Sequence, residues 1–66
     1  MENDYIIVAK WWDGAAGYQY ILQRRRRGLA RLVLGEWEDK ARTIVESNAL
    51  AWKEHYGIKE EVIYRD

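Results

Sequence analysis

Four consecutive arginines, Arg24 to Arg27, carry the strongest potential for ligand binding in this sequence. An arginine side chain stays cationic at physiological pH and can bind a phosphate or a guanine edge through two parallel hydrogen bonds. Each phosphate contact also releases counterions, which favours binding to nucleic acid. Successive side chains of a strand point to opposite faces, so four arginines cannot all face one way. We therefore expect the run, Arg24, Arg25, Arg26 and Arg27, to wrap the tip of a β-hairpin and to contact nucleic acid.

Other polar residues of the same chemical classes lie on either side of the run. Glutamine, lysine and arginine side chains hold phosphates and read base edges in complexes with nucleic acids. If the flanking segments are strands, these side chains could lie near one another on the sheet: Lys10, Gln19, Gln23, Arg25 and Arg31. The alternative is a solvated hairpin end whose arginines pair with acidic groups or bind a protein partner.

Two adjacent tryptophans, Trp11 and Trp12, stand at the end of the first apolar segment. On a strand they would point to opposite faces, so we expect one to enter the core and the other to emerge. We take Trp12 as the exposed candidate. An exposed tryptophan can stack on a base or anchor a protein partner, although it could also simply cover the end of the sheet.

Catalytic chemistry has little support in this sequence. The chain contains one histidine and no cysteine, which excludes a disulfide framework and cysteine-based zinc sites. His55 has no neighbouring histidine to complete a metal site, and the hydroxyls of Thr43 and Ser47 fall within a predicted helix. We therefore expect a binding module rather than an enzyme, with no catalytic residue, no metal and no cofactor.

The charge is balanced overall but unevenly distributed. The 66 residues include 11 Lys or Arg and 11 Asp or Glu, yet segment 10–31 is basic and the remainder is acidic. Four Trp and five Tyr supply large side chains for the thin core of so short a chain. No stretch approaches the ~20 apolar residues of a membrane span. We expect one domain, residues 1–66, with no membrane segment, in the cytoplasm, since absence of cysteine suits a reducing compartment.

The first half of the chain favours strands. Residues 4–12 are rich in β-branched and aromatic side chains, and two glycines within 13–17 indicate a turn. Alternation predicts further strands at 18–25 and 29–35, separated by a tight turn at 26–28. The apolar residues of 18–35 also fit helical spacing, so a helix across that segment stays open as the alternative.

The second half predicts a helix followed by a strand. Apolar residues recur at three- and four-residue steps over 38–56, acidic residues precede them, and Gly57 is a natural residue to end the helix. Residues 58–65 favour an edge strand. The predicted fold class is therefore α+β, in the order β-β-β-α-β. A three- to four-stranded antiparallel sheet would carry one amphipathic helix packed on one face.

Several short motifs resemble a known arrangement: Tyr18-Gln19-Tyr20, Arg24 to Gly28, Leu34 to Trp37, and helix positions Ala41 and Val45. Over about residues 5–56 the chain resembles the three-stranded DNA-binding domains of plant AP2-type factors and the arm-binding domains of phage integrases. The resemblance implies that DNA lies on the sheet face opposite the helix. The residues carried over to that face are Lys10, Gln19, Gln23, Arg25 and Arg31.

Two functions follow from these patterns. The first is a non-enzymatic module that binds nucleic acid through a basic β-hairpin. The second is a small inhibitor of phage or mobile-element type, similar in size to anti-CRISPR proteins, that binds a protein complex through exposed aromatic and arginine side chains. Self-association into a homodimer is compatible with either function.

Overall fold

The computed structural model describes residues 4–65 and shows an α+β fold. Over that range, a four-stranded sheet in the order β3-β2-β1-β4 is accompanied by two α-helices. The elements, in chain order, are β1 (Tyr5–Trp12), a 3-10 turn (Asp13–Ala15), β2 (Gly17–Arg25), α1 (Gly28–Leu34), β3 (Trp37–Thr43), α2 (Glu46–His55) and β4 (Ile63–Arg65).

The first two strands form an antiparallel hairpin, as the sequence predicts. The register runs from Tyr5 opposite Arg24 to Trp12 opposite Gly17. Ala16 closes the turn in the left-handed region with φ 51°, and its amide donates to the carbonyl of Asp13 at 3.1 Å. The predicted strands at 4–12 and 18–25 and the turn between them are confirmed to within a residue.

The predicted strand at 29–35 is wrong, because this segment forms α1. The chain leaves the sheet after Arg25 and returns to it at Trp37. Gly28 and Gly35 bound the helix with φ of +64° and +101°, angles that are costly for residues with a Cβ. The alternative of a helix across 18–35 is correct for 28–34 only.

The predicted helix at 38–56 is correct only in its second half. Residues Trp37–Thr43 form β3, which pairs antiparallel with β2 and places Ala41 opposite Leu22. Pairing with the free edge of β2 overrides the helical spacing of this segment. The helix α2 begins after Thr43, whose Oγ1 accepts hydrogen bonds from the amide of Val45 and from Asn48 Nδ2, both at 3.1 Å.

The last strand makes the sheet mixed rather than antiparallel. Of the predicted strand at 58–65, only Ile63–Arg65 is a strand, and it pairs parallel with β1, with Lys10 beside Arg65. It lies at an edge of the sheet, as predicted. The order of strands and α-helices is therefore β-β-α-β-α-β instead of β-β-β-α-β.

The hydrophobic core lies between α2 and one face of the sheet. Its buried members are Ile7, Ala9, Tyr20, Leu22, Ala49 and Ile58. On the opposite face of the sheet, Ile6, Val8 and Ile21 are also buried. After α2, Gly57 adopts φ +62° and the chain folds back so that Ile58 reaches this core. Within residues 4–65, no helix is long and apolar enough to cross a membrane.

Candidate binding surfaces

Residues 26–36 project from the end of the sheet as a helical protrusion, which we call the α1 protrusion. Its base is closed by the amide of Arg26, which donates to the carbonyl of Glu36 at 2.6 Å. The Arg26 side chain donates from Nη1 to the carbonyl of Leu34, also at 2.6 Å, which satisfies a carbonyl at the end of α1. These two hydrogen bonds at the base of the protrusion hold the helix away from the sheet.

The α1 protrusion presents an almost entirely apolar helix to solvent. Its side chains are 79% (Leu29), 81% (Leu32), 77% (Val33) and 65% (Leu34) exposed, and no residue of the seven-residue helix is buried. At about 100° per residue, the apolar side chains cover an arc of roughly 200° around the helix axis. Contiguous apolar surface of this kind marks interaction sites on soluble proteins.

The arginine run does not form a hairpin tip, which corrects the prediction from sequence. Arg24 and Arg25 end β2, whereas Arg26 and Arg27 connect β2 to α1. Arg27 Nη2 lies 2.6 Å from Asp4 Oδ2, and Arg26 Nε lies 3.9 Å from Glu38 Oε2. The run is therefore divided between different directions and partly neutralised by nearby carboxylates.

The sheet face opposite α2 brings together most of the other predicted binding residues. Lys10 pairs with Gln19, Ile6 with Gln23, and Trp12 with Gly17 in the β1–β2 register. Residues paired across a ladder share a face, so Lys10, Trp12, Gln19, Gln23 and Arg25 all lie on this side. Four of the five residues predicted to gather on one face therefore do so, namely Lys10, Gln19, Gln23 and Arg25, and Trp12 joins them.

Arg31 is the exception among the residues predicted for that face. It lies in α1 rather than in a strand, and its Nη2 is 3.3 Å from Glu36 Oε1. Its predicted position on the sheet depends on a strand at 29–35, which the structure does not contain. Arg31 belongs instead to the α1 protrusion, where it is the only polar side chain of the helix.

Four further residues on the same face were not predicted from the sequence, namely Trp37, Asp39, Arg42 and Arg65. Trp37 lies opposite Arg25 and Arg42 opposite Ile21 in the β2–β3 ladder, and Arg65 pairs with Lys10 in the β1–β4 ladder. We name the surface formed by these side chains the open sheet face: Lys10, Trp12, Gln19, Gln23, Arg25, Trp37, Asp39, Arg42 and Arg65. Strand alternation alone would have placed Trp37 and Arg42 on opposite faces, because a register shift between Leu22 and Gln23 is what brings both to this face.

Asp39 is the acidic member of the open sheet face, and two neighbouring side chains donate hydrogen bonds to its carboxylate. Gln23 Nε2 donates to Asp39 Oδ1 at 2.8 Å, and Arg42 Nη2 lies 3.0 Å from Asp39 Oδ2. The hydrogen bond from Gln23, followed by that from Arg42 and the charges of Arg42 and Lys10, lowers the pKa of Asp39 despite its partial burial. This carboxylate therefore stays ionised and is occupied by its neighbours.

The two adjacent tryptophans point to opposite faces, as predicted, but neither enters the core. Trp11 is 52% exposed and Trp12 48% exposed. Trp11 lies on the α2 side, where its Nε1 donates to Asp13 Oδ1 at 2.6 Å and its ring meets Tyr18 edge-on at 5.5 Å. Trp12 lies on the open sheet face, with its indole against Gly14. The pair thus offers one exposed aromatic ring on each side of the sheet.

Within the part of the chain that the structure describes, no group of three or more His, Cys, Asp or Glu residues could hold a metal ion. Comparison of the chain with protein-family models, with curated proteins and with solved structures gives no match. The α1 protrusion and the open sheet face are the two candidate binding surfaces of residues 4–65.

Proposed function

We propose that this protein is a non-enzymatic binding module that inserts the α1 protrusion into an apolar groove of a partner protein. The observation that carries the proposal is the exposure of four large apolar side chains on a helix that has no buried residue. An isolated helix of seven residues is far below the ~12–15 residues needed for marginal stability in water. Packing against a partner would supply the stabilisation that the chain itself does not.

The spacing of the exposed residues fits one recurring mode of recognition. Leu29, Leu32 and Val33 stand at i, i+3 and i+4, the positions that anchor an amphipathic helix in a hydrophobic groove. The apolar arc of roughly 200° is about twice the width of the stripe that a helix needs against one flat neighbour. A groove would bury the apolar side chains on both sides of this arc. Pairing with the same helix of a second copy would bury those on one side only.

The arginine run supports this proposal better than it supports contact with nucleic acid. Carboxylates lie beside Arg25 (3.8 Å from Glu36), Arg26, Arg27 and Arg31. These ion pairs brace the base of the α1 protrusion instead of presenting one cationic surface. Because the protrusion stands where the AP2-type and integrase resemblance requires a basic hairpin, that resemblance carries no weight in the proposal.

The chemistry of the partner follows from the helix. Its groove is lined by apolar side chains, because Arg31 is the only charged side chain between Gly28 and Leu34. An inhibitor that occupies a functional groove of a larger protein complex is one role that such a contact would serve. The cytoplasm stays the proposed location, since a chain with no cysteine suits a reducing compartment.

Affinity capture with three versions of the protein tests the proposal. The first is the wild type, and the second carries Leu29→Gln, Leu32→Gln and Val33→Gln, which remove apolar surface while keeping good helix formers. The matched control carries the same substitution at the three most exposed aliphatic residues outside α1, namely Ile44, Val45 and Leu50. Each version is immobilised and exposed to the same lysate.

We expect the wild type and the control to recover the same protein in stoichiometric amount, and the α1 variant to lose it at least tenfold, as for interface hot spots. Equal recovery by all three versions would contradict the proposal. Analytical ultracentrifugation of the purified chain tests the alternative that a second copy of the protein binds α1, because it measures whether the protein is a monomer or a dimer. A dimer that the α1 substitutions dissociate would show that a second copy, rather than a different protein, binds the helix.

A further inference from the structure

The open sheet face is a second surface, separate from the α1 protrusion, and we propose that it binds single-stranded nucleic acid. α2 packs on the other side of the sheet, and no residue of α1 is buried against this one. The face therefore has no helix over it in residues 4–65, although Ile6, Val8 and Ile21 at its centre are buried. Its proposed ligand follows from its charge, its aromatic rings and its shape.

The charge on the open sheet face is positive in a chain whose net charge is zero. The four strands place Lys10, Arg25, Arg42 and Arg65 there against one carboxylate, Asp39. Asp39 is already bound by Gln23 and Arg42. Glu36, just before β3, offsets part of the charge of Arg25 at 3.8 Å, which leaves Lys10 and Arg65 as the strongest cationic pair.

Lys10 and Arg65 are neighbours across the β1–β4 ladder. Like charges directly opposite one another destabilise a sheet, and both side chains are exposed. A phosphate between them would turn this repulsion into two favourable contacts. This arrangement argues for a polyanionic ligand rather than a neutral one.

Two tryptophans stand at opposite ends of the face, Trp12 exposed and Trp37 half-buried. Trp12 lies beside the start of β2 and is 48% exposed. Trp37 lies beside the end of β2, with the guanidinium of Arg25 at 5.0 Å from its ring centre. Aromatic rings stack on unpaired bases without regard to sequence, and cationic side chains between them follow the backbone.

The shape of the face selects a single strand over a duplex. The major groove of B-DNA admits an α-helix or a two-stranded ribbon, whereas this surface spans four strands. Stacking on Trp12 or Trp37 also requires bases that are free of a partner strand. The ligand class is therefore single-stranded DNA or RNA.

Fluorescence anisotropy with the full chain tests the proposal, using a labelled 20-mer of oligothymidylate, the same length of oligouridylate, and a 20-base-pair duplex. The decisive comparison is Trp12→Leu against Trp11→Leu, because the two rings are adjacent and similarly exposed but lie on opposite faces. We expect Trp12→Leu to weaken binding about tenfold, as for the loss of one stacked base. Trp11→Leu should leave the affinity within about twofold.

A second pair of variants tests the charges and does not depend on the tryptophans. Lys10→Gln with Arg65→Gln removes the cationic pair, whereas Lys53→Gln with Lys59→Gln removes the same charge outside this face. The first pair should reduce the slope of log affinity against log salt by about 1.4, at ~0.7 per phosphate contact on a single strand. The second should leave the slope unchanged.

Three results would overturn the proposal. They are no binding of either oligonucleotide at low salt, equal effects of Trp11→Leu and Trp12→Leu, and duplex binding as tight as single-strand binding. A preference between oligothymidylate and oligouridylate would identify DNA or RNA as the ligand. None of these measurements depends on the partner of the α1 protrusion, so either proposal can fail without the other.

Discussion

Arg26 donates a hydrogen bond from Nη1 to the main-chain carbonyl of Leu34 at 2.6 Å. This contact spans the base of the α1 protrusion and binds the last turn of the helix to the connection that follows β2. With the amide of Arg26 bound to the carbonyl of Glu36, one residue fixes both the exit from β2 and the return to β3. The apolar helix is held at both ends while its side chains stay in solvent.

The exposure of the α1 side chains predicts that replacing them will not unfold the protein. The variant Leu29→Gln, Leu32→Gln, Val33→Gln should keep its free energy of unfolding within about 0.5 kcal/mol per site, as for other surface positions. Ile7→Ala, which empties part of the buried core, should cost about 2–5 kcal/mol. Urea denaturation measures both. A loss from the triple variant comparable to that from Ile7→Ala would show that α1 packs on its own chain.

The isolated position of α1 also predicts that the helix unfolds locally at a low free-energy cost. A short helix without tertiary packing opens at almost no cost, whereas a central strand opens only with the whole fold. In the free protein, amides of 31–34 should therefore exchange with solvent far faster than those of β1 and β2. Hydrogen exchange measured by NMR reports this directly. Protection of α1 equal to that of the hairpin in a monomer would contradict the proposed need for a partner.

Gly35 occupies a backbone conformation that is open to glycine alone. Its φ of 101° and ψ of 172° cost other residues about 1–3 kcal/mol, although an added Cβ would meet only Arg26 Nη1, at 3.8 Å. Gly35→Ala should therefore lower the thermal midpoint by at least ~4 °C, the shift that 1 kcal/mol gives in so small a domain. Gly17→Ala, where there is space and φ is ordinary, is the control. Equal midpoints for the two variants would rule out strain at Gly35.

Tyr20 gives the fold a distinct response to alkali. Its burial, followed by a hydrogen bond from its hydroxyl to Glu46 Oε2 at 3.2 Å, raises the pKa of Tyr20 from 10.0 to about 12. The folded state holds this proton more tightly than the unfolded chain does. The resulting stabilisation is complete below pH 10 and is lost as the pH rises through about 12.

Tyr20→Phe removes this titration while it keeps most of the ring packing. Between about pH 10 and 12, the free energy of unfolding of the wild type should fall more steeply than that of the variant. Urea titrations at several pH values in this window provide the comparison. Parallel pH dependences would mean that Tyr20 titrates normally in the folded protein.

The alternation of side chains made the β1–β2 hairpin predictable from the sequence alone. β1 and β2 are adjacent in the chain, and a short turn joins them, so local pattern and local pairing agree. The same alternation placed Lys10, Gln19, Gln23 and Arg25 on one face, because a period of two fixes the side of every residue once a strand is known. This part of the open sheet face followed from the sequence without knowledge of the other strands.

The segments that the sequence misassigned are those decided by distant contacts. Leu29 to Leu34 satisfy both a strand and a helix pattern, but the edge of β2 is taken by β3 instead. Trp37 to Thr43 carry helical spacing, but pairing with β2 places Ala41 against the core and overrides that spacing. The parallel pairing of β4 with β1 joins residues more than 50 positions apart, which no local pattern encodes.

Site-specific photocrosslinking tests the central claim most directly, because it asks which residue touches the partner. A benzoylphenylalanine side chain is placed at Leu32, on the α1 protrusion, or at Leu50, exposed on α2, and each protein is irradiated with the partner recovered by the wild type. We predict one covalent adduct from position 32, mapped by mass spectrometry to an apolar groove, and none from position 50. An adduct from position 50 alone, or from neither position while the complex stays intact, would contradict the assignment of α1 as the binding element.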